Sequence, residues 1–317
     1  MGKSGLLESF SRSGTGMRTA LLVARAVPRR MAEGVIDFAA MRFMASSAAL
    51  GDAARLNQWM ASGRTLCGEA LDRAVRENVR MMGRFLYDFY HVLGSDEAEE
   101  GLVVFDDVAD EFLRRHLADG PFIYAIAHFG NFDLMGRVLG RHGLSAQLLS
   151  VADPNAGYEW QNAVRQQPGM EVTPVSIESL KQAARGLANG RSVITGLDRP
   201  LLQPDKIQPR LFGHDAPLPL LHVRLAMRVR VPVVVVTAPR TEDGRYRLLT
   251  SAPIEMVGDS PPPEALRVNA ERCLAEAERM ILTDPRQWAM PHRVWPDLAL
   301  PAHASDEATP ASADCSG

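Results

Sequence analysis

The chain has 317 residues, 35 Lys and Arg against 38 Asp and Glu, a formal net charge of −3 and 46% hydrophobic residues. That length and apolar content suit one large α/β domain with a helical extension, or two small domains. The near-neutral, slightly acidic balance argues against nucleic acid as the main partner, and Cys67, Cys273 and Cys315 form no CxxC pair or Cys/His cluster, so a reducing compartment and no structural zinc are expected.

Residues 1–30 hold Lys3, Arg12, Arg18, Arg25, Arg29 and Arg30 against a single acid, Glu8. A basic arm of this kind suits anionic lipid head groups, and it equally suits a solvated helix face. Residues 1–16 are polar and rich in Gly and Ser, without the apolar core of a secretory signal. The Gly2–Gly5 stretch GKSG lacks the upstream glycine and strand of a phosphate loop. No segment approaches ~18 uninterrupted apolar residues, so Met17–Leu50 is expected to lie on a bilayer as amphipathic helices instead of crossing it.

Residues 17–92 read as helical. Ala53–Met60 is followed by Leu66–Val92, whose Leu71, Val75, Val79, Met82, Phe85, Leu86 and Phe89 form one apolar stripe best read as core. Next come a turn at Gly94–Glu100, a short strand at Leu102–Phe105, a helix at Asp110–Leu117 and a turn at Asp119–Pro121. Beyond the central block, strands are predicted at Ala146–Val151, Met170–Val175, Ser192–Leu197, Val231–Thr237 and Tyr246–Ser251. Helices are predicted at Tyr158–Gln167, Ile177–Ala188, Leu218–Val229 and Pro262–Thr283, with an irregular basic loop from 198 to about Pro217. Alternation at these spacings points to an α/β layered sheet. The tail from Pro301 lacks aromatic and bulky aliphatic residues and is expected to be disordered.

The central block is Phe122–Gly136, FIYAIAHFGNFDLMG. Phe122–Ala127 is short and continuously apolar, as befits a strand buried on both faces. It delivers His128 at its carboxyl end, where ligands bind in open α/β sheets. Leu134, Met135, Val138 and Leu139 then recur at helical spacing, with Asp133 at the first turn. An imidazole held at Nδ1 by a carboxylate presents Nε2 as a base, so His128 and Asp133, spaced H-x4-D, suit acyl transfer to a substrate hydroxyl. The same residues also fit plainer roles, Asp133 as a helix cap and His128 as a hydrogen-bonded histidine at a strand end.

AHFGNFDLMG resembles the H-x4-D/E block of the glycerolipid acyltransferase superfamily. It is most similar to the branch containing the bacterial lipid A late acyltransferases and the phosphatidylinositol mannoside acyltransferases, with Phe132 in place of the usual tryptophan. The aspartate at 133 looks more like the mannoside enzymes. Weaker likenesses follow in order: Arg165 before the Gly169–Val172 strand, Asp198 and Arg199 with the Phe212-Gly213 turn, Arg224 on the helix before VPVVVV, and PHRVWP near the end, where Trp288 and Trp295 suit either a lipid interface or cover for the sheet end.

The resemblance implies a layered mixed β-sheet flanked by helices. Its expected parts are a helical, membrane-associating region over 1–95, the acyltransferase domain over 96–300 and a tail over 301–317. It implies His128 and Asp133 as a catalytic dyad, with the turn at Gly130 and Asn131 supplying backbone donors to an oxyanion. Arg165, Asp198, Arg199 and Arg224 are its candidates for binding substrate or phosphate, arginine forks being suited to phosphate. It further implies an acyl thioester donor, acyl-CoA or acyl carrier protein, used as co-substrate with no cofactor or metal. The implied acceptor is a glycolipid or phospholipid hydroxyl, favoured as phosphatidylinositol-mannoside-like, at the cytoplasmic face of the plasma membrane. A lipid A-type acceptor, a thioester hydrolase and a non-catalytic lipid-binding protein are the alternatives. The sequence carries no signal of oligomeric state.

Overall fold

The computed structural model describes residues 14–300 apart from 47, 204 and 259–262. The basic residues before 14, the GKSG stretch and the tail from Pro301 lie outside the described residues.

Helices α1 (Gly14–Ala26), α2 (Arg29–Ser46) and α3 (Ala48–Ala61) precede the long α4 (Gly68–Val92). Next come α5 (Asp96–Gly101), the short β1 (Val103–Val104), α6 (Asp107–Asp119), β2 (Ile123–Gly130) and α7 (Phe132–Arg141). The chain continues through β3 (Ala146–Ser150), α8 (Ala156–Arg165), β4 (Met170–Pro174), α9 (Ile177–Ala188) and β5 (Ser192–Gly196). A hairpin of β6 (Arg210–Leu211) and β7 (His214–Asp215) leads to α10 (Leu221–Val229), β8 (Val233–Ala238), β9 (Tyr246–Arg247), β10 (Leu249–Thr250) and α11 (Pro263–Ile281).

The six-stranded sheet has the order β10-β8-β2-β5-β3-β4, parallel throughout except for the antiparallel edge strand β10. The mixed α/β layering expected from sequence is therefore the fold. A parallel sheet covered by helices on both faces favours near-continuous apolar strands over alternation; β8, VVVVTA, is buried along its whole length, while β3, β4 and β5 include Gln147, Glu171 and Ser192. Alternate side chains of β2 serve the two sides. Ile123, Ala125, Ala127 and Phe129 join a cluster with Leu56, Trp59, Leu71 and Val75 of α3 and α4 and with Leu274 of α11. Phe122 and Tyr124 join a second cluster with Phe85, Phe89, Leu134 and Val138. Helix α4 thus contributes its first half to one cluster and its second half to the other.

Four local expectations are revised. The turn read at Gly94–Glu100 is largely the short helix α5, Asp96–Gly101. Leu86 does not belong to the buried stripe but is 51% exposed. The predicted strand Tyr246–Ser251 divides, because Tyr246–Arg247 pairs with β1 while Leu249–Thr250 pairs with β8. The loop after Ser192–Leu197 contains the β6-β7 hairpin, turned at Phe212 and Gly213 with positive φ.

Buried polar residues of the N-terminal helices fasten the C-terminal segment across the sheet end. Asn57 donates to the carbonyls of Met290 (3.1 Å) and His292 (2.8 Å), Gln58 donates to that of Pro285 (2.9 Å), and Asn78 donates to those of Arg286 (2.9 Å) and Trp288 (2.8 Å). Trp288 and Trp295 are consequently 1% and 2% exposed. Of the two roles the sequence left open for them, the structure shows cover for the sheet.

Candidate active site

His128 lies in the last part of β2, where the pairing with β8 is irregular between Ile126 and Gly130. The departure from regular strand comes with a turn that only glycine fits. Gly130 has φ +77°, and a Cβ there would stand 1.8 Å from the Ala238 carbonyl oxygen. Asn131 locks the same turn. Its backbone N–H donates to that carbonyl (2.8 Å), its Oδ1 caps α7 by accepting from Leu134 N (3.3 Å), and its Nδ2 donates to the Phe85 carbonyl (3.0 Å). Both kinds of donor on Asn131 are therefore engaged, which removes it from the expected role as an oxyanion donor. Helix α7 is capped by Asn131 and not by Asp133.

The imidazole does not pair with Asp133. His128 Nδ1 lies 2.6 Å from Oδ1 of Asp198, seventy positions further along the chain, and Asp198 Oδ2 accepts from the backbone N–H of His128 (2.8 Å) and from Trp288 Nε1 (2.9 Å). Strand β5 is the parallel neighbour of β2 with Gly196 opposite Ile126, so two further residues bring Asp198 alongside His128. Asp198 is fully buried. Burial opposes its ionisation, but the His128 charge and the hydrogen bonds from His128 and Trp288 outweigh it and hold the carboxyl below its usual range. The His128 side chain is 25% exposed, and its Nε2 makes no hydrogen bond among the described residues.

Asp133 instead receives both arms of Arg165, at 2.7 Å from Nε and 2.9 Å from Nη2. Asp133 stands in the first turn of α7 and Arg165 in the last turn of α8, so the pair ties two helices together beside the turn. Arg165, taken from sequence as a substrate contact, is thus occupied within the protein. Arg224 is likewise paired within the protein, with Asp205 at 2.5 Å.

Arg199 follows Asp198 directly. Its guanidinium donates to the Tyr158 hydroxyl and lies over that ring, 5.0 Å from the centroid, which fixes a cation beside the dyad. Phe132 meets the His128 ring edge-on at 5.2 Å. Gly196 leaves space on the other side, since a Cβ there would stand 3.6 Å from His128 Cε1. His292 completes the surroundings: desolvation, then repulsion from Arg199 and His128, lowers its pKa to about 4.

Sequence reasoning brought His128, Asp198 and Arg199 into the candidate set but paired His128 with Asp133, where the structure pairs it with Asp198, and it did not place Trp288 against that carboxylate or His292 nearby. The signal was present in the PHRVWP segment and the nearby tryptophan, whose destination depends on the Asn57 and Asn78 hydrogen bonds.

The family model for bacterial lipid A biosynthesis acyltransferases matches residues 17–296, from the N-terminal helices to the segment that carries Trp288 and His292. The chain belongs to that family. No curated protein matches it. Membership in this acyltransferase family makes the chain an acyltransferase of lipid biosynthesis, acting between an acyl donor and a lipid acceptor.

Proposed function

We propose that this acyltransferase moves a fatty acyl chain from a thioester, acyl-CoA or acyl carrier protein, to a sugar hydroxyl of an anionic glycolipid at the membrane surface, with His128 as general base and Asp198 as its positioning carboxylate. The observation that carries this reading is the contact of His128 Nδ1 with a buried carboxylate at 2.6 Å, on a partly exposed imidazole whose Nε2 has no hydrogen-bond partner among the described residues. A carboxylate accepting from Nδ1–H sets the tautomer in which Nε2 is the base and stabilises the imidazolium that follows. Nε2 takes the acceptor hydroxyl proton as the oxygen attacks the thioester carbonyl. Collapse of the tetrahedral intermediate breaks the C–S bond, and the departing thiolate receives the proton from His128. Arg199, steadied by Tyr158, is the cation for a phosphate of either substrate.

The aspartate at 133, with the Ala- and Arg-rich composition, was the reason to favour a phosphatidylinositol mannoside acceptor. It faces Arg165 and not the reacting nitrogen, so it loses that bearing, and lipid A precursors and phosphatidylinositol mannosides stand as acceptors of one chemical kind. Mass spectrometry of the products formed from a palmitoyl thioester and each acceptor tests the reading, with His128→Ala alongside. One added acyl chain, absent with the variant, supports it and names the acceptor. Free fatty acid as the sole product points to a hydrolase, and turnover unaffected in His128→Ala refutes the mechanism.

A further inference from the structure

The C-terminal segment that covers the dyad carries a histidine the mechanism leaves unused. Trp288 pairs with Phe129 as an isolated bridge and holds Asp198, and Ala289 N donates to the carbonyl of His128 itself (2.7 Å). Three residues on, Asn57 of α3 brackets His292. The Asn57 amide, on a residue 2% exposed, donates to the carbonyls of Met290 (3.1 Å) and His292 (2.8 Å) and accepts from Val294 N (3.3 Å). The backbone is thus fixed on both sides of His292 while the side chain stays open to solvent. Desolvation is nevertheless the largest cause of its lowered pKa. A ring that reaches water and is still crowded by protein lines a recess.

The charges acting on that recess have one sign. Among the described residues, Arg199 and His128 are the charged groups that act on His292. Asp198 is already committed to His128 and Trp288, Arg293 turns to the carbonyls of Trp295 and Leu298, and Asn57 is neutral. Arg199 also differs from other arginines of the domain. Arg137 ends on Glu99 at 3.0 Å, Arg165 on Asp133 and Arg224 on Asp205, whereas half-buried Arg199 has no carboxylate partner among the described residues and rests on the hydroxyl and ring of Tyr158. A guanidinium has five N–H donors, so Arg199 keeps donors for an incoming acceptor. A half-buried cation that the protein leaves uncompensated, beside an imidazole, suits an anionic ligand.

We infer that Arg199 and His292 together hold a phosphate group of a substrate, and that His292 takes up a proton from solvent as the phosphate binds. In the free protein, repulsion and desolvation keep the imidazole neutral at pH 7. An anion within hydrogen-bond reach favours the charged ring instead. No covalent bond changes in this step. Affinity for the phosphate-bearing substrate should therefore rise as pH falls, by up to about tenfold per pH unit for one proton, so KM falls in the same range where protonation of His128 lowers kcat. That the phosphate belongs to a substrate rests on the acyltransferase reading above; the protonatable site itself does not.

The test is calorimetric titration of the full chain between about pH 6 and 7.5, in buffers of different ionisation enthalpy, which counts the protons bound with the ligand. Dephospho-coenzyme A represents the acyl donor and glycerophosphoinositol a lipid head group; the phosphates of both are diesters whose charge is constant over this range. Proton uptake with the first assigns the site to the donor, and with the second to the acceptor. His292→Gln should bind roughly tenfold more weakly and take up no proton, with an unchanged thermal melt. His292→Lys, permanently charged, should bind without uptake, and His128→Ala should keep it. Binding of neither compound overturns the inference, as does uptake that persists in His292→Gln or disappears in His128→Ala. Proton-coupled binding by a protein that transfers no acyl chain counts against the proposed chemistry and not against this site.

Discussion

Asp198→Asn and Asp133→Asn separate the two carboxylates that the sequence motif and the structure put forward. In the first variant the amide must accept from His128 Nδ1, the His128 backbone N–H and Trp288 Nε1, where the carboxylate now accepts at 2.6, 2.8 and 2.9 Å. An amide has one acceptor oxygen. With that oxygen toward Nδ1, its NH2 opposes two donors; with the amide flipped, the NH2 faces Nδ1 and imposes the tautomer in which Nε2 carries the proton. The two opposed donors favour the flipped amide, in which Nε2 is protonated and the base is lost, so kcat should fall by about 10³–10⁴-fold, which is about 4–5 kcal/mol of transition-state stabilisation.

Asp133→Asn loses one arm of the Arg165 pair, whose side chains are 17% and 23% exposed. Partial solvent access reduces the cost of the orphaned cation, so about 2 kcal/mol of stability is expected, or about 4 °C in Tm, with kcat within about tenfold of wild type. The assay is acyl transfer by mass spectrometry at saturating substrates, with melts by circular dichroism. A thiol-capture dye would be a poor choice because Cys67 is a partly exposed free thiol. Folded Asp133→Asn protein without turnover, together with an active Asp198→Asn protein, would refute the assignment of Asp198 as the partner of His128.

Trp288→Phe keeps the buried ring but removes the Nε1–H bond to Asp198; a hydrogen bond to a charged group contributes about 1.5–3 kcal/mol. Turnover should fall roughly tenfold with KM nearly unchanged, and an equal loss from Trp295→Phe would show that packing is responsible. Asp198's depressed pKa has a sign in stability too: its contribution is complete above the unfolded value of about 4 and is lost as pH falls through the lower native value. Acid titration of Asp198→Asn should lack that component. His222 acts in the same direction but over a higher pH window. It is 1% exposed, its ring nitrogens have no hydrogen-bond partner among the described residues, and burial lowers its pKa from 6.5 to about 4. The unfolded chain takes up this proton below about pH 6.5 while the native state resists until about 4, so stability should decline across that window by about 3 kcal/mol. His222→Leu should flatten the decline in urea titrations at pH 4.5 and 7, and an unchanged slope would refute the account.

The sequence by itself determined the layered α/β class, the strand at Phe122–Ala127, the helix after it and the turn between them. Those features are local: continuous apolar runs belong to covered parallel strands, and 3.6-residue spacing belongs to helices packed on them. Asp198 and Arg199 were also legible, as charged residues at the end of a strand. Which carboxylate serves His128 was decided by strand order alone. With β5 beside β2, Asp198 reaches Nδ1 from seventy residues away, while Asp133, five positions off, is turned by α7 toward Arg165. The apolar face of α2 likewise carries no label of inward or outward in its periodicity. Arg80 and Arg84 on α4 draw Glu33 and Asp37 inward and leave Phe38 exposed. In both places the deciding interaction is a charged pair between segments distant in sequence, and only the tertiary structure brings its two halves together.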